Sequence, residues 1–471
     1  MGEYGINPAR VVALLEGPRF ARWRDAGLWS HETLSTRFLA TVKRQPDATM
    51  LVDDALHLSF ITVAQRSRAL AEGLAARGIG RGDAIAYQLP HWWEATIVFL
   101  AAQQLGAHSV PILPILRARE FSLVLRETAP KVVFARGDAQ SLDLAVEAAA
   151  LGHPELPLLV AVRPDTMLMA HIRARQTGPE LLGFEDLLST KSRGAKPAVC
   201  AVQPEDLAAM IYTAGATTAP KGMLHIQQTL LAAIDSLRAA HDLGPRDTVL
   251  MPSPLSALAG VLHGILAPAL LGTSAVLRPR WDPGAALAAI EKHSVTYMVG
   301  EPMFLRKMLQ YPTFAEHGLA SLRLFCCDRA PIPPELLAEA RKRLPGLVVQ
   351  RSYGSSEFPT ISTTDAGDTH GRGLNSAGKA LHGVEIRIVT ATGAQVAAGE
   401  EGEVRARGPA CFLGYANSAL DRDVFDSDDF LCTGDLGVLD ATGYLRITGR
   451  LQDIIVRKGA KRELVRRFGK S

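Results

Sequence analysis

Four short stretches combine residue types that can do chemistry on an anion. YTAGATTAPKG, at 212–222, sets glycines and threonines beside a Pro-Lys-Gly ending. Backbone N–H groups, hydroxyls and an ammonium ion together suit the phosphates of a nucleotide. The stretch is not a Walker A loop, which counted from Gly215 needs glycine at Pro220 and a hydroxyl residue at Gly222. By itself it reads more simply as a chain-reversing turn. RSYGSSE (351–357), LCTGDLG (431–437) and ITGRLQDIIVRKG (447–459) add a tyrosine, carboxylates and an arginine. Each of these alone is also an ordinary turn.

The surrounding pattern says how such residues would be held. From about 50 to 350, short apolar runs alternate with helical periodicity. Strands are expected at 84–89, 109–113 and 131–135, with helices over 92–106 and 117–128. The theme returns in SAVLRP, GAALAAIEKHS, VTYMVG, LRLFCC, PELLAEARKRL and LVVQ. That alternation predicts an α/β body of mostly parallel sheets with helices on their faces. AAMIYT (208–213) reads as a strand and 226–243 as a helix, so the glycine-rich turn is expected to run into a helix N-terminus, where N–H groups and the helix dipole favour anions. After about 376, GVEIRIVT, GEVRARG and YLRITG are short alternating strands between glycine turns, which predicts a small antiparallel β unit. The expected units are 1–375, 376–450 and 451–471.

A chain of 471 residues exceeds one ordinary core. A net charge of +3, with lysines and arginines dispersed, gives no reason to expect nucleic acid. Cys200, Cys326, Cys327, Cys411 and Cys432 form no C-x-x-C pair, which favours buried thiols in a reducing compartment. The N-terminus has no secretory pattern. Residues 255–277 carry no Asp, Glu, Lys or Arg, but His263, Pro268 and three glycines interrupt them. A buried helix running into a buried strand is the reading, with no transmembrane segment and a cytoplasmic location.

In their order and spacing the four stretches resemble the adenylate-forming superfamily of acyl-CoA synthetases, aryl-acid ligases, luciferases and adenylation domains. The resemblance covers nearly the whole chain. LWSHETL (28–34), QLPHWWEA (88–95) and MPSPL (251–255) are most similar to medium-chain or alicyclic acyl-CoA ligases. The resemblance implies that a carboxylic acid reacts with ATP to give an acyl-adenylate, then passes to a thiol, usually coenzyme A. It implies Thr213, Gly215, Thr217 and Lys221 around the β- and γ-phosphates, and Tyr353 on adenine. Ser356 would touch the α-phosphate and Glu357 would hold Mg2+. Asp435 would take the ribose hydroxyls, and Arg450 the ribose or phosphate. Lys221 and Glu357 would be the catalytic pair.

The sequence departs from that pattern in places. Ala214 and Ala216 replace hydroxyl residues of the family's loop, and Thr218 replaces a glycine. Asp328 and Arg329 stand where the family has glycines, and Ala257 where it often has a histidine or aromatic residue. No role is assigned to His225 or His263. Gln452 occupies the hinge position. AKRELVRRFGKS follows where a lid of about a hundred residues is expected. The expectation is therefore a ligase for a hydrophobic acid, slowed by the lack of a lid lysine. The alternative is a nucleotide- or acyl-binding protein, including one that works with a separate lid-bearing partner. Oligomeric state is not legible.

Overall fold

The computed structural model describes residues 8–165, 167, 178–189, 202–213, 219–328, 330, 332–365, 375–457 and 460–463. Cys200, Gly215, Thr217 and Arg329, together with the altered loop positions Ala214, Ala216 and Thr218, lie outside the described residues.

Among the described residues two large sheets form the body. The first has seven strands, in the order Glu180–Gly183, Leu158–Val162, Val132–Arg136, Ala84–Gln88, His108–Pro111, Leu207–Thr213 and Lys221–Ile226. All its pairings are parallel except the last. The second has nine strands and a parallel centre built from Thr49–Asp53, Ser274–Leu277, Thr248–Leu250, Tyr297–Gly300, Leu324–Cys327 and Val348–Tyr353. Runs such as LLVAV and LFCC are buried along their whole length, as strands covered on both faces must be.

Helix Trp93–Leu105 shows why the two sheets stay together. Nearly every residue of it is buried, and an all-round apolar helix is stable only inside a core. It ends at Gly106 in the left-handed region, φ +67°, the usual helix stop. Its Glu94 is buried beside Asp53 of the nine-stranded sheet. Arg163, which follows a strand of the seven-stranded sheet, bonds both Glu94 oxygens at 2.6 and 2.9 Å and also Asp53. Removing the guanidinium would strand two buried carboxylates. Arg163→Ala is therefore expected to lower stability by about 3 kcal/mol, the low end for a broken buried pair because the arginine is partly exposed. An unchanged urea midpoint would show that the pair carries no stability.

The late segment forms a four-stranded antiparallel sheet, Glu385–Val389, Glu401–Arg407, Leu431–Leu439 and Leu445–Arg450, around Ile388, Val404 and Leu445. Both the parallel body and this small β unit agree with the sequence pattern. The run 255–277 is likewise a buried helical stretch, with a π-helical segment at Val261–Leu266, leading into strand Ser274–Leu277. No helix among the described residues is long and apolar enough to cross a membrane. Cys326, Cys327, Cys411 and Cys432 are free thiols.

One local expectation is overturned. The phosphate-loop candidate does not run into a helix. Lys221–Ile226 is a strand that returns antiparallel along Leu207–Thr213, with Thr213 opposite Lys221 and Leu207 opposite Ile226. Helix Gln227–His241 therefore starts at the far end of this hairpin, six residues from the loop. At roughly 3.3 Å per residue that is about 20 Å, beyond the useful range of a helix dipole. Any anion at the loop must rely on loop N–H groups, hydroxyls and Lys221.

Candidate active site

A cavity of about 1300 Å³ opens where the sheets meet, and Thr213, Tyr353, Ser356, Glu357, Asp435 and Arg450 all line it. Six of the residues singled out in the sequence thus converge on one space from three separate sheets. Lys221 is half-buried at the start of the hairpin's second strand and reaches this group through Tyr415, with its Nζ 5.6 Å from the ring centroid. Gly215 and Thr217 fall outside the described residues.

The SYGSSE turn is shaped by Gly354. A Cβ there would lie 2.2 Å from the carbonyl oxygen of Pro359, so no other residue fits without moving backbone. Ser355 closes the turn, its N–H bonding the Phe358 carbonyl at 2.9 Å and its hydroxyl accepting the Glu357 and Phe358 N–H groups. The Ser356 carbonyl accepts from Nε2 of the buried His225 at 3.0 Å, and Nδ1 of that ring faces the Thr229 hydroxyl at 3.4 Å. Burial lowers the His225 pKa to about 4, so the ring is neutral and serves as a fixed donor under the turn. His225 is thus a packed support for Ser356.

Glu357 presents one oxygen, Oε1, to the Tyr415 hydroxyl at 2.6 Å. Tyr353 donates its hydroxyl to Asp435 Oδ2 at 2.8 Å, and Arg450 Nε forms an ion pair with Asp435 Oδ1 at 2.9 Å. The arginine pairing is set by register, because Asp435 and Arg450 are direct cross-strand partners. Burial and the neighbouring Asp435 carboxylate raise the Tyr353 phenol, which keeps it a donor. A carboxylate has about four lone-pair sites. Tyr353 takes one on Oδ2 and the Arg450 charge lies against Oδ1, so each oxygen keeps an acceptor site. Two adjacent acceptor sites on an almost buried carboxylate match the two hydroxyls of a diol.

The cavity also has an apolar lining, with Ala257, Leu258, Leu262 and Val299 on its wall. Cys327 and Phe358, though close in sequence to lining residues, do not line it. In strand Leu324–Cys327 successive side chains face opposite ways, and Cys326 takes the cavity side while Cys327 packs into the core behind the sheet. His263, to which no role was assigned, lines the cavity with Nδ1 3.2 Å from the Tyr297 hydroxyl. Sequence reasoning missed Tyr415 and the support from His225. Neither has a local signature, since both act on residues more than fifty positions away.

Known proteins show the same organisation. The family model described as AMP-binding enzyme matches residues 38–416. A medium-chain fatty-acid–CoA ligase of Escherichia coli is 31% identical over 457 residues, covering 96% of this chain and 78% of that protein. A 4-coumarate–CoA ligase of Oryza sativa subsp. japonica is 27% identical, covering 92% of this chain and 78% of that protein. The apo structure of MbtA from Mycobacterium smegmatis superposes with a TM-score of 0.81 at 26% identity, covering 97% of this chain and 82% of that one. The match along most of its length, with the convergent site and the shared fold, shows that this chain belongs to the AMP-binding enzyme family and lies among its acyl-CoA ligases.

Proposed function

We propose that this protein activates a hydrophobic carboxylic acid with ATP and transfers the acyl group to coenzyme A. The observation that carries the reading is the Tyr353–Asp435–Arg450 constellation, with its two remaining acceptor sites, on the same cavity as Ser356 and Glu357. Asp435 holds the ribose diol and Tyr353 supplies an aromatic face to adenine. Ser356 and Arg450 contact the phosphate side, and Lys221 with Thr213 meets the outer phosphates. A carboxylate oxygen of the acid attacks the α-phosphorus. The bond from that phosphorus to the bridging oxygen breaks, and pyrophosphate leaves with the electron pair. The acid's chain lies against Ala257, Leu258 and Leu262.

The site also suits Mg2+. Magnesium is usually held by one or two carboxylates plus substrate phosphates rather than by an all-protein cage. The described residues include no group of three or more His, Cys, Asp or Glu able to hold a metal, whereas Glu357 offers a single carboxylate on the cavity wall. When bound, the ion would neutralise charge on the phosphates. On this reading 1–375 is the substrate-binding body, 376–450 the β unit that brings Asp435 and Arg450, and 451–471 the start of a hinge.

Calorimetry tests the proposal. The wild-type chain should bind ATP with Mg2+, and Lys221→Ala should bind it at least tenfold more weakly, since a hydrogen bond to a charged group is worth about 1.5–3 kcal/mol. Acid-dependent exchange of labelled pyrophosphate into ATP should then identify the acid. Absence of ATP binding by the wild type would overturn the reading.

A further inference from the structure

Lys221 and Glu357 carry opposite charges on the same phosphate-facing corner. An ammonium and a carboxylate brought into contact there would form an ion pair and blunt each other. Among the described residues no ion pair joins them. The Tyr415 ring stands between, with Lys221 Nζ over its face and Glu357 Oε1 on its hydroxyl.

We infer that Tyr415 is a positioning residue, a spacer that holds Glu357 in the orientation needed to receive a divalent cation and keeps Lys221 free for phosphate. The inference rests on the nucleotide reading given above. The backbone around Tyr415 is tied on several sides. Tyr415 bridges Met223 on the hairpin strand, and the next residue, Ala416, donates its N–H to the Gly222 carbonyl at 2.7 Å. The Tyr415 N–H bonds Asp421 Oδ1 at 2.8 Å, and its carbonyl accepts from Arg10, which also pairs with Asp421. Phe412 packs edge-on against the ring at 5.0 Å, and the Phe412 N–H bonds the Glu357 carbonyl at 2.8 Å. The ring position is thus set by the strand that bears Lys221, and the hydroxyl sets the carboxylate that follows strand Val348–Tyr353 of the other large sheet. A single side chain fixes the spacing of the two charges across the two sheets.

Chemistry explains why the residue is tyrosine. An O–H donated to a carboxylate is among the stronger neutral-to-charged hydrogen bonds. The aromatic face attracts the ammonium without neutralising it. Phenylalanine would keep the second property and lose the first.

Tyr415→Phe separates these roles. ATP binding to the full chain is measured by calorimetry while Mg2+ is titrated, and again with the metal chelated. The expected result is a loss of about tenfold in the Mg2+-dependent part of the affinity, with metal-free ATP bound as by the wild type. In a Glu357→Gln background the same change should cost nothing further. Equal losses with and without metal would mean a general scaffold role and would overturn the inference. So would an unchanged Mg2+ dependence, or a full additional loss in the Glu357→Gln background. If the wild type binds no ATP, the nucleotide reading fails and takes this inference with it. Wild-type binding with an indifferent Tyr415→Phe overturns this inference alone.

Discussion

Asp435→Asn should weaken ATP binding about a hundredfold while leaving the fold intact. With Tyr353 bonded to Oδ2 and Arg450 ion-paired at Oδ1, the carboxylate keeps an acceptor site on each oxygen. Two hydrogen bonds from a diol to a charged acceptor are worth about 1.5 kcal/mol each at the low end, or about 3 kcal/mol together, which is roughly a hundredfold in affinity. The amide keeps the shape but turns one acceptor into a donor, which faces Arg450 or the Tyr353 hydroxyl with the wrong polarity. The specificity of the loss can be checked with dideoxy-ATP. That analogue should bind the wild type about as poorly as ATP binds the variant, and should distinguish little between the two proteins. If Asp435→Asn weakened both nucleotides by the same large factor, Asp435 would be holding Tyr353 and Arg450 in place and the diol assignment would fall.

Stability should fall steeply below neutral pH, because among the described residues His108, His225, His241 and His263 are buried in neutral form. Burial lowers the pKa of His108, His225 and His241 to about 4 and that of His263 to about 3, against an ordinary 6.5. Between those values the unfolded chain takes up protons that the folded chain refuses. The contribution is therefore complete above about pH 6.5 and is lost as pH falls through that value toward 4. One unit below 6.5 each histidine costs about 1.4 kcal/mol, so the four together cost on the order of 5 kcal/mol between about pH 7.5 and 5.5. Glu94 and Glu127, whose pKa values are raised by burial, act in the opposite sense and offset part of this in the more acidic range. A urea midpoint that stays flat across that interval would contradict the argument. Since His225 supports the Ser356 peptide, ATP binding should fail together with the fold and not before it.

The fold class was legible because it depends on periodicity. Alternating apolar runs and helical stripes predict parallel strands with helices on both faces, and the later change to short alternating strands predicts a separate antiparallel sheet. Tyr353, Ser356, Glu357, Asp435 and Arg450 were legible for another reason. The order and spacing of their stretches resemble those of the adenylate-forming superfamily, although each stretch alone reads as an ordinary turn. The hairpin was misread because the six residues KGMLHI, only half of them apolar, are as compatible with the approach to a helix as with a strand. Only pairing with Leu207–Thr213 decides between them.

By itself, then, the sequence determined the alternation of strands and helices and the later antiparallel β unit, since both follow from short-range sterics and burial period. Only the tertiary structure decided which face of LFCC meets the cavity, for a strand's two faces are chemically alike until something packs on them. It also decided that Tyr415 stands between Lys221 and Glu357, and that Asp435 retains an acceptor site on each oxygen. Those are statements about distance between residues far apart in the chain. Packing sets such distances, and no local pattern encodes them.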